Sequence, residues 1–177
     1  MTIERRAVTG LSAKGKTLKA LAIPYNSRSQ DMGFIEMISP NAFDLSGDVK
    51  ALYEHDKQHL IGRTTSNTLR LNDSIRGIEA EIDLPNTSMG NDLAELVQRG
   101  DISGMSFGFI VENDEWDYNQ EPALRTITKA SLKEVTVTSD PAYLDTNVVI
   151  SERALSKANK IQSTSLLEAE LALLEVI

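Results

Sequence analysis

Ser106 stands in GMSFG, residues 104–108, between two glycines and ahead of an apolar run. Glycine on both sides lets a backbone turn sharply and lets a substrate approach closely, which suits a nucleophile; it suits a plain small-residue turn equally well. A serine hydroxyl needs a base before it attacks at neutral pH. Two histidines are available, His55 and His59. His55 closes the alternating segment VKALYEH, 49–55, and so falls at the end of a predicted strand. His59 lies in the polar stretch KQHL, read as a loop. Either could instead be an exposed or capping histidine. The base in turn needs an acceptor at its second ring nitrogen to fix tautomer and orientation. Asp56 is adjacent to His55, but neighbours on extended backbone point to opposite faces. Glu134 lies inside LKEVTVT, where carboxylates are depleted, on a face shared with Leu132, Thr136 and Thr138; a solvent-facing site is the plain alternative. Asp140, before Pro141, is a second acid, with turn initiation as its ordinary role.

Together these candidates could supply a serine nucleophile, a histidine base and an acid that orients it, with each plain alternative still open. The pattern G-x-S-x-G also describes the nucleophile elbow of α/β-hydrolases, a strand-to-helix turn. Here a predicted helix precedes the serine, a predicted strand follows it, and no histidine comes later, so the elbow is rejected. A second chemistry is a metal site made of Glu54, His55, Asp56 and His59. It lacks the helical H-E-x-x-H spacing, any cysteine and a third strong ligand.

The elements that must hold these groups come from one chain of 177 residues, enough for one domain with a real core. The chain carries a formal charge of −8. That balance disfavours a nucleic-acid surface, which needs clustered Lys and Arg. With no cysteines, disulfides, thiolate zinc sites and cysteine nucleophiles are excluded. The opening MTIERRAVTG has no apolar core of a signal peptide. No apolar run approaches the ~20 residues of a membrane span.

Strand patterns occupy 2–9, 16–25, 34–38, 49–55, 61–65, 67–71, 75–84, 105–112 and 123–138. Asn113-Asp114-Glu115 reads as a turn. Ser39-Pro40 predicts a short helix, with serine as cap and proline at its first position. A longer helix is predicted over 88–99: Met89, Leu93, Leu96 and Val97 share one face, Asn86, Thr87, Ser88 and Asn91 are candidate caps, and Gly100 terminates it. Residues 140–150 read as a turn and a short apolar piece. From 151 to 177 the chain turns Leu/Glu/Ala-rich and reads as a helical tail, loosely docked or detachable. The expectation is a mainly β fold with a few helices: a single-domain closed or nearly closed β-barrel, or a sandwich, over 1–150.

Three motifs in this order resemble the prohead maturation proteases of tailed bacteriophages, serine peptidases whose fold is similar to that of the herpesvirus assemblins. They are ALYEHDKQHLIGR at 51–63, ISGMSFGF at 102–109 and LKEVTVTSDPAY at 132–143, with SPNAF at 39–43 also familiar. The resemblance covers about residues 3–150. It implies an assemblin-like barrel flanked by helices, Ser106 as nucleophile, His55 as general base and Glu134 as third member, although that third role is not always a carboxylate in this superfamily. It implies no metal or organic cofactor. The implied substrates are scaffold protein or the scaffolding segment of the major capsid protein, cut inside the assembling procapsid in the host bacterial cytoplasm, and the protease itself. Neither nucleic acid nor membrane is an expected partner; assemblins can work as dimers, so a homodimer is one assembly the resemblance allows. The alternative expectation is a non-enzymatic capsid-assembly or scaffolding protein acting through its C-terminal helix.

Overall fold

A computed structural model of the chain describes residues 3–139. The turn and apolar piece at 140–150, Asp140 among them, and the tail at 151–177 lie outside the described residues.

Two sheets carry the fold. The larger runs in the order β1 (Glu4–Thr9), β10 (Gly104–Asp117), β11 (Leu124–Thr138), β6 (Lys50–Tyr53), β7 (Asp56–Arg63). Two short strands, β4 (Ile35–Ile38) and β5 (Phe43–Asp44), also pair with β11, which takes β4, β5 and β6 in parallel along its length. The smaller sheet is antiparallel: β2 (Ser12–Lys14), β3 (Thr17–Pro24), β9 (Gly77–Asp83), β8 (Leu69–Ser74).

The expected closed barrel is not found. Among the described residues the larger sheet ends at β1 and β7 and the smaller at β2 and β8. Apolar faces are instead buried by packing between layers. One hydrophobic cluster takes Leu18, Ile78 and Ile82 from the smaller sheet and Phe107, Phe109 and Val135 from the larger.

One α-helix occurs among the described residues, α1 (Ser88–Arg99). Thr87 is its N-cap, accepting from the Gly90 N–H. Gly100, at φ 83°, ends it in the left-handed conformation that glycine adopts freely. The short helix expected after Ser39-Pro40 does not form. Asn41 takes a left-handed φ of 59°, the Ala42 N–H closes a turn on the Ser39 carbonyl, and Phe43 then pairs with Ala130 of β11. The larger sheet captures this segment before a helical turn can propagate. The turn expected at 113–115 is likewise absent. β10 continues through it, and the local irregularity is absorbed as register shifts around Asn113.

One end of the larger sheet is tied by a buried ionic network. Arg125 bonds Glu4, Glu36 and Asp114, while Arg6 bonds Glu4 and Glu36. Each guanidinium also lies near aromatic rings, Arg6 by Phe109 and Arg125 by Phe34 and Trp116. The network clamps β1, β4, β10 and β11 to one another.

Candidate active site

The central hairpin β10–β11 fixes the site by register. Ser106 lies opposite Thr136 on β11 and Ala7 on β1; Gly108 lies opposite Glu134 and Arg5. Directly opposed residues, and residues two apart on one strand, share a face. Ala7, Ser106 and Thr136 thus form one row across three strands, and Arg5, Gly108 and Glu134 form the next. Met105 and Phe107, on the alternate positions of β10, point the other way into the hydrophobic cluster. The expected face-sharing of Leu132 with Glu134 fails. Phe109 pairs with Leu132 while Gly108 pairs with Glu134, so Lys133 is an extra residue in a β-bulge. The bulge sends Leu132 to the core with Phe109 and leaves Glu134 on the serine's face. Re-aiming a side chain is what such an insertion does to the alternation of a strand.

Glu134 is 5% exposed, so it is not the solvent-facing carboxylate that mid-strand acids usually are. Its Oε1 receives two hydrogen bonds, from Arg5 Nε at 3.0 Å and from His55 Nδ1 at 2.8 Å. Burial pushes this carboxyl up, but the bonds from His55 and Arg5, with their charge, outweigh it and hold the group below the ordinary glutamate value. Glu134 is therefore an anion, and His55 donates from Nδ1. That leaves the His55 Nε2 free to accept a proton. The space for the carboxylate comes from Gly108. A Cβ there would stand 2.7 Å from Glu134 Cγ and 3.1 Å from its Oε1. The second glycine of GMSFG lets the side chains of Arg5 and Glu134 meet across β10.

His55 is not at the end of a strand, as the sequence suggested, but just past one. Glu54 and His55 form the two-residue link between β6 and β7, with φ of 52° and 57°. Positive φ at both central positions is the requirement of a type I′ hairpin turn, which favours Asn-Gly. Ordinary residues held there cost ~1–3 kcal/mol each and persist only where the surroundings fix them. Glu54 supplies that fixation. Its N–H donates to the Val137 carbonyl, and its carboxylate accepts from Thr138 Oγ1 at 3.0 Å and the Ser139 N–H at 2.7 Å. The turn is stapled to the end of β11, two rows from Glu134, and His55 is delivered to the carboxylate.

The polar stretch read as a loop is the strand β7, and His59 lies on it. Its side chain is 49% exposed, faces Asp56 at 3.4 Å and lies near the Tyr53 ring. The proposed metal ligands are thus divided among separate partners, Glu54 to β11, His55 to Glu134, and Asp56 with His59. Ser106 is 4% exposed and its Oγ makes no hydrogen bond among the described residues. The structure joins Arg5, Glu134 and His55 directly, and it sets Ser106 in the adjacent row on the same face. Sequence reading missed Arg5, Glu54 as the staple of the turn, and the steric role of Gly108. The signals were faint: an arginine in the predicted strand 2–9, a glycine inside a predicted strand, and a glutamate beside the histidine.

A buried strand serine and, bonded to the adjacent row of the same sheet, a histidine oriented by a carboxylate are side-chain types that serine hydrolases use. Over residues 1–161 the chain matches the family described as caudovirus prohead serine protease, and it belongs to that family. The chain is thus a serine peptidase, a hydrolase of peptide bonds, of the kind that acts in bacteriophage capsid maturation. Comparison with curated proteins and with solved structures returned no match. Among the described residues no helix is long and apolar enough to cross a membrane.

Proposed function

We propose that this chain cleaves scaffold protein, or the scaffolding segment of the major capsid protein, inside the assembling procapsid in the host cytoplasm, and also cleaves itself. Ser106 is the nucleophile, His55 the general base and Glu134 the anion that orients it. The observation carrying this reading is the Arg5–Glu134–His55 chain, which ends at a free ring nitrogen on the face that holds Ser106. A carboxylate bonded to Nδ1 selects the tautomer whose Nε2 accepts, and it stabilises the imidazolium formed during the reaction. His55 is 22% exposed, open enough for a polypeptide to reach it, while Glu134 behind it stays sheltered.

In the first step Ser106 Oγ bonds to the scissile carbonyl carbon as its proton passes to His55 Nε2. The carbonyl oxygen becomes an oxyanion, held by donors aimed at it. The C–N bond then breaks, His55 returns the proton to the leaving amine, and the acyl group stays on Ser106. Water attacks the ester with His55 again as base, releasing the new carboxyl end and the serine. Catalysis needs hydrogen bonds that often tighten only when substrate is bound, so the unbonded Ser106 hydroxyl is compatible with this sequence.

Membership of a peptidase family replaces the non-enzymatic scaffold alternative and the metal-site alternative. The test is co-expression with the capsid and scaffold proteins. Ser106→Ala is expected to abolish their shortening, since losing a nucleophile costs on the order of 10⁶ in kcat. Mass spectrometry of the purified protease reads self-cleavage in the same samples. Normal processing by Ser106→Ala would overturn the assignment.

A further inference from the structure

Thr136 is fully buried, and its Oγ1 is the one buried side-chain polar atom without a hydrogen-bond partner among the described residues. Buried hydroxyls are nearly always bonded, because leaving one unpaired is destabilising. Its position makes the orphan notable. Thr136 sits directly opposite Ser106 in an unbroken stretch of the β10–β11 ladder, on the same face. Ser106 Oγ also lacks a partner among the described residues. Opposed residues in an antiparallel pair have Cβ atoms about 4.5–5.5 Å apart, so a single rotamer change brings the two hydroxyls into hydrogen-bonding range. Valine would fill the same volume with equal strand preference and no unpaired oxygen.

We infer that Thr136 is a hydrogen-bond donor to the nucleophile: its hydroxyl donates to Ser106 Oγ when the site is engaged. This rests on Ser106 being the nucleophile. A hydroxyl carries one hydrogen and two acceptor sites. If Thr136 fills one lone pair of Ser106 Oγ, the serine's own hydrogen is directed to His55 Nε2. As that proton leaves, negative charge grows on Oγ and the bond from Thr136 becomes charge-assisted and stronger. An interaction that strengthens towards the transition state accelerates the step, whereas one made equally in the ground state does not. The unpaired hydroxyl in the resting site is then a group held ready for use.

The experiment uses a fluorophosphonate probe, so no knowledge of the natural cleavage site is needed. Ser106 Oγ bonds to phosphorus, the P–F bond breaks, fluoride leaves, and the serine proton passes to His55. Labelling rates and melting temperatures are compared for the full-length wild type, Thr136→Val, Thr136→Ser and Ser106→Ala. Thr136→Val is expected to label about 10–100-fold more slowly while melting no lower than wild type, and Thr136→Ser to label within about threefold of wild type. A purely structural threonine gives the opposite pairing, lost stability with unchanged labelling. Labelling by Thr136→Val within about twofold of wild type, with Ser106→Ala unlabelled, overturns the role of Thr136 alone. Labelling of Ser106→Ala at the wild-type rate overturns the nucleophile itself. Should Thr136→Val fail to fold, Thr136→Ala against Thr136→Ser isolates the hydroxyl, and equal rates for those two overturn the inference.

Discussion

Gly108→Ala adds one methyl group, and the structure says what that methyl meets. Its carbon would stand 2.7 Å from Glu134 Cγ and 3.1 Å from both Cδ and Oε1. Carbon atoms are most stable about 3.5–4.0 Å apart, so the first contact is too close by nearly 1 Å. Cγ is one bond from Cβ on a strand paired on both sides, so the end of the side chain cannot simply swing away. The carboxylate must shift, and its bonds to His55 at 2.8 Å and Arg5 at 3.0 Å move with it. Overpacking of this kind costs ~1–3 kcal/mol. Replacing glycine returns ~0.4–1 kcal/mol by restricting the unfolded chain. The expected net loss of stability is roughly 1–2 kcal/mol. The catalytic loss is expected to be larger, about 10²-fold or more in kcat, the usual effect of displacing an orienting group by an ångström. The assay is fluorophosphonate labelling beside thermal melting, repeated in a Glu134→Ala background. That background removes Cγ and the carboxylate, so Gly108→Ala should there cost little further activity, a strong non-additivity between neighbours. Equal losses in both backgrounds, or wild-type labelling by a folded Gly108→Ala, would refute the steric reasoning.

Two other outcomes are expected. Arg125→Ala should destabilise the fold by ~3–5 kcal/mol in denaturant unfolding, because it leaves Arg6 to offset the buried carboxylates of Glu4 and Glu36 without a second guanidinium and takes a cation from Asp114; a loss under ~1 kcal/mol would show that the network tolerates rearrangement. Glu134 titrates below its ordinary value in the folded protein, so its ionised form adds stability that is full above the unfolded value and disappears as pH falls through the lowered folded one. The stability gap between wild type and Glu134→Gln should therefore narrow in mildly to strongly acidic solution, and a gap independent of pH would contradict the lowered value.

Legibility followed the range of the interactions. Helix α1 was readable to its limits because its signals are local: a threonine cap, an amphipathic face and a terminal glycine. Most strands were readable for the same reason. The arrangement of the strands in two sheets rather than the expected closed barrel was not, since pairing partners lie far apart in the chain and periodicity carries no information about which edges meet. The helix at Ser39-Pro40 failed because β11 offers Phe43 a strand partner that overrides a capping signal. The stretch DKQHL looked like a loop because half of β7 is exposed and polar, while its ladder with β6 does not depend on apolar side chains. The partnership of His55 with Glu134 could be suggested by residue type alone. The means of achieving it could not: a strained Glu54-His55 turn, a bulge at Lys133 and a missing side chain at Gly108 are all consequences of three-dimensional register.

The G-x-S-x-G pattern shows how one string can arise from different physics. In a nucleophile elbow the glycines relieve crowding at a sharp strand-to-helix turn. Here Ser106 and Gly108 belong to one continuous strand, and a helix precedes them. Spacing of two then means a shared face, so the serine and the glycine occupy adjacent rows while Met105 and Phe107, on the alternate positions, must be core. Both are buried, at 1% and 2% exposure. The glycine at 108 is required because a carboxylate crosses over it, a demand imposed by Glu134 and Arg5 on the flanking strands. It follows that the glycine and the acid should be exchangeable only together. A shorter side chain at 134 would release position 108 to carry a Cβ, whereas no change at Ser106 would do so. In an elbow the same glycine is fixed by the backbone bend itself, and no substitution on a neighbouring strand would free it.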